Sequence, residues 1–149
     1  MKKLISVLLT LAMVLSLVPA VFAADEPTIT LSADKTSVAP GETVTLTLSL
    51  DKELVADAVG IAISFDTNAY TLTGRKNLGS RPARLGFTDI DAANNQGAVK
   101  VAYLQTTFDK DDPSHTSFAA GDWASFTFTA KEGADTSNAK FTMKVDNLL

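Results

Sequence analysis

GIAISFDTNAYTLTG, residues 60–74, decides whether this chain is extended or helical. Val59, Ile61, Ile63 and Phe65 alternate with Ala58, Gly60, Ala62 and Ser64, the period of two of a strand with one buried face. Asp66, Thr67 and Asn68 then break the pattern with polar groups. Asp and Asn favour such breaks because their side chains hydrogen-bond nearby backbone. Tyr70 and Leu72 reopen the alternation on the far side. The stretch is strand, corner, strand, and Phe65-Asp66 belongs to the corner rather than to a chemical site.

The same alternation recurs outward in both directions. In TVTLTLSL, residues 43–50, Val44, Leu46, Leu48 and Leu50 point one way, and Thr43, Thr45, Thr47 and Ser49 the other. β-Branched threonine on a wet face fits an extended chain and disfavours a helix. ITLSA before it is a shorter strand, and DKTSVAPGE between them turns at Pro40-Gly41. Downstream, RKNLGSRPAR is a polar loop, LGF a short strand, and TDIDAANNQG a second polar connection leading through Gly97 into AVKVAYLQ. There Val99, Val101 and Tyr103 oppose Lys100, Ala102 and Leu104. TTFDKDDPSHTSFAAGD is a long loop, and WASFTFTA is a strand burying Ala124, Phe126 and Phe128. KEGADTSN turns into KFTMKV, with Phe141, Met143 and Val145 on one face. No window carries a sustained helical stripe. The expectation is an all-β, antiparallel β-sandwich of about eight or nine strands.

The N-terminus is an address. Lys2 and Lys3 precede an apolar run from Leu4 to Val18, and Pro19 to Ala23 supply a small-residue exit, so residues 1–23 are expected to be a cleaved signal peptide. A spanning helix needs roughly 20 apolar residues, so no membrane insertion is expected after cleavage. Residues 24–149 then form one domain in a secreted, extracellular protein. Cleavage removes two lysines and no acid, leaving that domain more acidic than the whole chain's net charge of −4. Nucleic acid and anionic membrane surfaces attract basic patches, so neither is an expected partner. The chain has no cysteine, and the domain must stand on its core without cross-links.

The order of these elements resembles the cohesin domain. ADKTSVAPGETVTLTLSLDK followed by an aliphatic strand ending in SFDTNAYTL is similar to the opening of that family, with Gly41, Val44, Leu46, Leu48, Phe65, Asp66 and Leu72 carrying the pattern. GAVKVAY and AAGDWASFTFTAKEGA resemble two later strands, so the likeness spans about residues 28–146. These are packing and turn residues, which speak to fold more firmly than to function. The resemblance implies a jelly-roll sandwich that binds dockerin modules and scaffolds polysaccharide-degrading assemblies. It also implies truncation after FTMKVDNLL, before a closing strand. Ala58 and Gly60 stand where the family carries polar dockerin-contacting residues. On this view the contact face carries Ser64, Lys100, Ala102 and Leu104. The same fold family includes carbohydrate-binding modules, for which Trp123, Tyr70 and Tyr103 would be the stacking platforms. A structural domain of a surface protein is the third alternative.

No constellation of residues supplies chemistry, and an enzyme is not expected. His115 is the only histidine, beside Ser114 in a polar loop with no third group to orient it. Asp89 with Asp91, and Asp109 with Asp111 and Asp112, are close enough in sequence for paired carboxylates, but nothing supplies a cleft or an apolar pocket. As EF-hand calcium loops both fail, though ligand chemistry alone still allows calcium: Ser114 stands at the sixth position from Asp109 where glycine is needed, and Lys100 at the twelfth from Asp89 where glutamate is needed. They are expected to be solvated loop acids, with no metal and no cofactor. Strict alternation puts Trp123 outward, opposite Ala124, Phe126 and Phe128, but the resemblance, whose family carries an aromatic at this point, favours a twisted strand start that folds it over the core edge.

Overall fold

The alternating segments pair into two four-stranded antiparallel sheets. The computed structural model describes residues 26–79, 83–105 and 117–148. Among these, the strands are β1 (Ile29–Ala33), β2 (Thr43–Leu50), β3 (Leu54–Val55), β4 (Ala58–Ser64), β5 (Tyr70–Asn77), β6 (Ala83–Phe87), β7 (Ala98–Gln105), β8 (Ser117–Phe118), β9 (Gly121–Ala130) and β10 (Thr142–Leu148). One sheet runs β1-β2-β9-β5, the other β10-β4-β7-β6, and β3 with β8 forms a two-stranded ribbon. The all-β sandwich expected from the sequence is the observed fold.

Between the sheets lies one core. Val44, Leu46, Leu48, Phe126 and Phe128 face Val59, Ile61, Ile63, Val99 and Val101, all essentially buried. Rings bridge the layers: Phe65 meets Phe128 edge-on at 4.9 Å, and Phe87 of β6 meets Phe126 of β9 at 5.9 Å. Edge-to-face rings at such distances add to the energy of burial alone. Without disulfides, this apolar and aromatic contact holds the layers together.

The Asp66 corner is built as the sequence implies. Its carboxylate accepts the N–H of Asn68 at 2.8 Å, and its carbonyl accepts those of Ala69 and Tyr70.

TDIDAANNQG departs from its expected form. It contains a helix, α1 (Ile90–Gln96), with Asp89 as N-cap accepting from the N–H of Asp91 at 2.9 Å. Gly97 closes it in the left-handed region at φ 68°, donating to the Ala93 carbonyl. A side chain at Gly97 would also meet the Phe65 carbonyl at 3.1 Å. Capping residues make this helix, not periodicity: it buries only Ala93, so no apolar stripe marks it. α1 covers the outer edge of β5. The Asn94 side chain accepts from the Leu72 N–H at 2.7 Å and donates to the Leu72 carbonyl at 3.0 Å, as a neighbouring strand would. Beside it Arg75 donates to the Thr88 carbonyl and stacks over Phe87 at 5.3 Å, tying β5 to β6.

Candidate functional site

The candidate site is the outer face of β10-β4-β7-β6. Because alternation is regular along β4 and β7, burying Val59, Ile61 and Ile63 on one and Val99, Val101 and Tyr103 on the other turns every second residue to solvent. Ser64, Lys100, Ala102 and Leu104 are exposed on this one face. Leu104 is 50% exposed, a large apolar side chain left uncovered. Register sets the neighbours: Leu104 lies opposite Ala58, Ala102 opposite Gly60, Lys100 opposite Ala62, and Ser64 opposite Ala98. The four residues expected from the sequence are therefore brought together. Ala58 and Gly60 lie in the same surface.

Three strands meet where the side chains are smallest. Gly60 of β4 and Gly86 of β6 both pair with Ala102 of β7, so the row across these three strands carries a single methyl group. The result is an open concavity of about 340 Å³, walled by Thr88, Lys100 and Asp146. β10 contributes Asp146 through a bulge: Val145 pairs with Ile61 and Asn147 with Gly60, which leaves Asp146 as the extra residue. Its carboxylate lies 3.1 Å from Nζ of Lys144. Gly86 and Asp146 were not singled out from the sequence. Glycine inside the LGF strand is the signal that could have found Gly86, since glycine in a strand marks close approach of another chain or a bulge.

The three aromatics fall on the other side of the sheets. Tyr70, Tyr103 and Trp123 are 1%, 5% and 6% exposed. Trp123 takes the core-edge position favoured over strict alternation, through a bulge in β9. Leu48 pairs with Ala124 but Ser49 with Asp122, so Trp123 is the extra residue and both it and Ala124 turn inward. Its indole N–H donates to the Ala119 carbonyl at 3.0 Å. Its ring packs on Tyr103 at 4.8 Å and Phe118 at 5.6 Å, closing one end of the sandwich. A sugar stacks on an exposed ring face, and none of these three rings offers one. Burial pushes the Tyr70 phenol up to about 12, opposed in part by a hydrogen bond with Thr136, and it raises Tyr103 as well.

Of the candidate acids, Asp89 and Asp91 are described: both are exposed, and the side chain of Asp89 has a structural role. Asp89 caps α1, and Asp135 is held low by the hydroxyl and N–H of Ser137. Among the described residues, no three His, Cys, Asp or Glu side chains group to hold a metal. His115, Asp109, Asp111 and Asp112 lie outside the described residues.

No protein-family model matches this sequence, and no curated protein matches it. Solved structures do. The type II cohesin A11 of Bacteroides cellulosolvens superposes with a TM-score of 0.56 at 18% identity, over 78% of this chain and 76% of that one. The sixth cohesin of scaffoldin B from Acetivibrio cellulolyticus, solved with the Cel5 dockerin, gives 0.54 at 19% identity, over 78% and 81%. A Clostridium thermocellum cohesin–dockerin complex, Coh-OlpA with Doc918, gives 0.56 at 12%, over 81% and 83%. At identities this low the likeness is one of fold, and the fold it identifies for this chain is cohesin-like.

Proposed function

We propose that this chain is a non-catalytic, secreted protein-binding module of the cohesin type. On this reading residues 1–23 are removed on export, and residues 24–149 receive a dockerin-type partner on the outer face of β10-β4-β7-β6. Ser64, Lys100, Ala102 and Leu104 are the contact positions, and the role is to scaffold extracellular polysaccharide-degrading assemblies. The observation that carries the proposal is the composition of that face. It is accessible, floored by Ala58, Gly60, Ala62 and Ala102, and leaves Leu104 exposed, so a partner can approach the sheet closely and find apolar surface. Likeness to cohesins solved with dockerins supports it. Burial of Tyr70, Tyr103 and Trp123 weighs against the carbohydrate-binding alternative.

The test uses protein purified from culture medium, whose first residue should be Ala24 or Asp25. It is titrated against immobilised dockerins, the Cel5 and Doc918 modules among them, and against insoluble polysaccharides. Capture by a dockerin is expected, and Ala102→Glu should weaken it by about tenfold or more, because a charge is buried without a partner. Retention on polysaccharide with no dockerin captured would overturn the proposal.

A further inference from the structure

We propose that the concavity over Gly60, Ala102 and Gly86 is a socket for one large apolar side chain, presented by a helix of the bound partner. This rests on the binding function proposed above and specifies what determines its selectivity. The floor is central to the sheet. β4 is paired on both sides by β10 and β7, and β7 by β4 and β6. Their backbone donors and acceptors are consumed, so an extended peptide cannot add here as a strand. Entry is by side chains alone. A helix, whose own backbone groups are satisfied internally, is the element that can present one.

The chemistry of the occupant follows from floor and walls. The row Gly60–Ala102–Gly86, lined also by Ile61, Phe87 and Val101, offers no polar side chain, and the polar groups stand only on the walls, so a polar tip seated at the floor would lose hydration without a side-chain partner there. An aliphatic or aromatic tip loses nothing of the kind. A volume of about 340 Å³ is at the lower end for ligand pockets, and the site is open, which suits a protruding side chain better than an enclosed small molecule. Lys100 and Asp146 carry opposite charges on the walls. The helix therefore carries an acid near the socketed residue on the Lys100 side and a base on the Asp146 side. The Lys144–Asp146 bridge, with Lys144 80% exposed, is readily exchanged for such a base.

Filling the socket tests this. A Cβ at Gly86 would stand 3.9 Å from that of Ala102, an ordinary contact, so Gly86→Ala should fold unchanged. Affinity for a dockerin captured by the unmodified protein is measured by calorimetry for Gly86→Ala and Ala102→Leu, with thermal melts as the fold control. Expected losses are severalfold for Gly86→Ala and about 30-fold for Ala102→Leu, the scale of a central hot spot. Each exposed large apolar residue of the dockerin is then cut to alanine in turn. One of these truncations should abolish the penalty of Ala102→Leu, identifying the socketed side chain by coupling. Asp146→Asn should slow association at low salt and leave dissociation unchanged. If a dockerin binds and neither filled variant loses affinity, or every truncation is additive with Ala102→Leu, the socket is wrong while the binding function stands. If Asp146→Asn leaves the association rate unchanged, the charged walls are wrong. If no dockerin binds the unmodified protein, both proposals fall.

Discussion

The two sheets share a core but have opposite outer faces. On β1-β2-β9-β5 the outward positions are hydroxyls: Thr45 pairs with Thr127, Thr47 with Ser125, and Thr129 lies between Thr43 and Thr71. They bond to one another and to backbone, as between the hydroxyls of Thr73 and Thr129 at 3.3 Å, or from Ser49 to Asp122 at 2.8 Å. On β10-β4-β7-β6 the outward row of β4 is Ala58, Gly60, Ala62 and Ser64, facing Leu104, Ala102, Lys100 and Ala98. Threonine favours a strand by its own stiffness, while alanine and glycine are depleted in strands. The first face therefore contributes to holding its sheet extended, and the second does not. The second sheet is held by its buried Val and Ile residues and its hydrogen-bond ladder. Its small outward residues thus add little strand preference of their own, which is the physical reason for seeking their purpose in contact with something else.

If the sheets differ only outside, their inner faces should respond alike. Phe128→Ala in β9 and Ile61→Ala in β4 remove fully buried side chains from opposite halves of one core. Each should cost about 2–5 kcal/mol through lost transfer energy and the cavity left behind, read from urea titrations. Trp123→Ala belongs with them, since the indole is locked among Tyr103, Phe118 and the Ala119 carbonyl. A loss below about 1 kcal/mol for Ile61→Ala beside a full loss for Phe128→Ala would mean that the second sheet is not part of a common core.

The two buried tyrosines sharpen the contrast at a smaller scale. Tyr70 of β5 shares its hydroxyl with Thr136, which also donates to the Val38 carbonyl at 2.9 Å. The Tyr103 hydroxyl of β7 has no partner among the described residues. Tyr70→Phe should cost about 1 kcal/mol, and Tyr103→Phe should be neutral or stabilising by a similar amount, because it removes a buried group with no partner among the described residues. Both phenols are kept protonated by burial, with Tyr70 raised to about 12. An unfolded tyrosine ionises near 10. From about pH 10 to 12 the unfolded chain therefore binds fewer protons than the folded one, and stability falls by about 1.4 kcal/mol per pH unit for each tyrosine. Below pH 10 the two states are protonated alike and the slope vanishes. Tyr103→Phe should remove one proton's share of that slope in denaturation series from pH 8 to 12. An unchanged slope would mean that Tyr103 ionises equally in both states.

What the sequence disclosed and what it withheld divide along a physical line. Parity along a single strand was legible, so the inward set from Val44 to Phe128 and the outward Ser64, Lys100, Ala102 and Leu104 could be assigned without coordinates. Bulges were not. Trp123 turns inward because one extra residue enters β9 opposite Leu48-Ser49, and no local property of WASFTFTA announces a shift in its partner's register. Cross-strand coincidence was equally hidden: Gly60 and Gly86 come to one row only through their common partner Ala102. α1 was present in the sequence as an Asp cap and a closing Gly97, but a seven-residue helix with one buried residue leaves no periodic trace.

The smallest expected effect isolates the outer faces themselves. Thr127→Ala takes a β-branched side chain from the hydroxyl face, and Ala62→Thr places one on the small-residue face between Lys100 and Lys144. Strand preference alone makes the first change mildly destabilising and the second mildly stabilising, each by about 0.5 kcal/mol or less. Binding should move the opposite way for the second change: Thr127→Ala leaves dockerin affinity intact, whereas Ala62→Thr raises two atoms from the contact surface and weakens it. A variant that is more stable yet binds less well would show residues held against their strand preference because a partner must come close. Paired urea and titration measurements on both variants decide it. Should Ala62→Thr instead cost more than about 1 kcal/mol, the small face would be small for packing within the sheet, and the contrast between the two faces would lose its functional meaning.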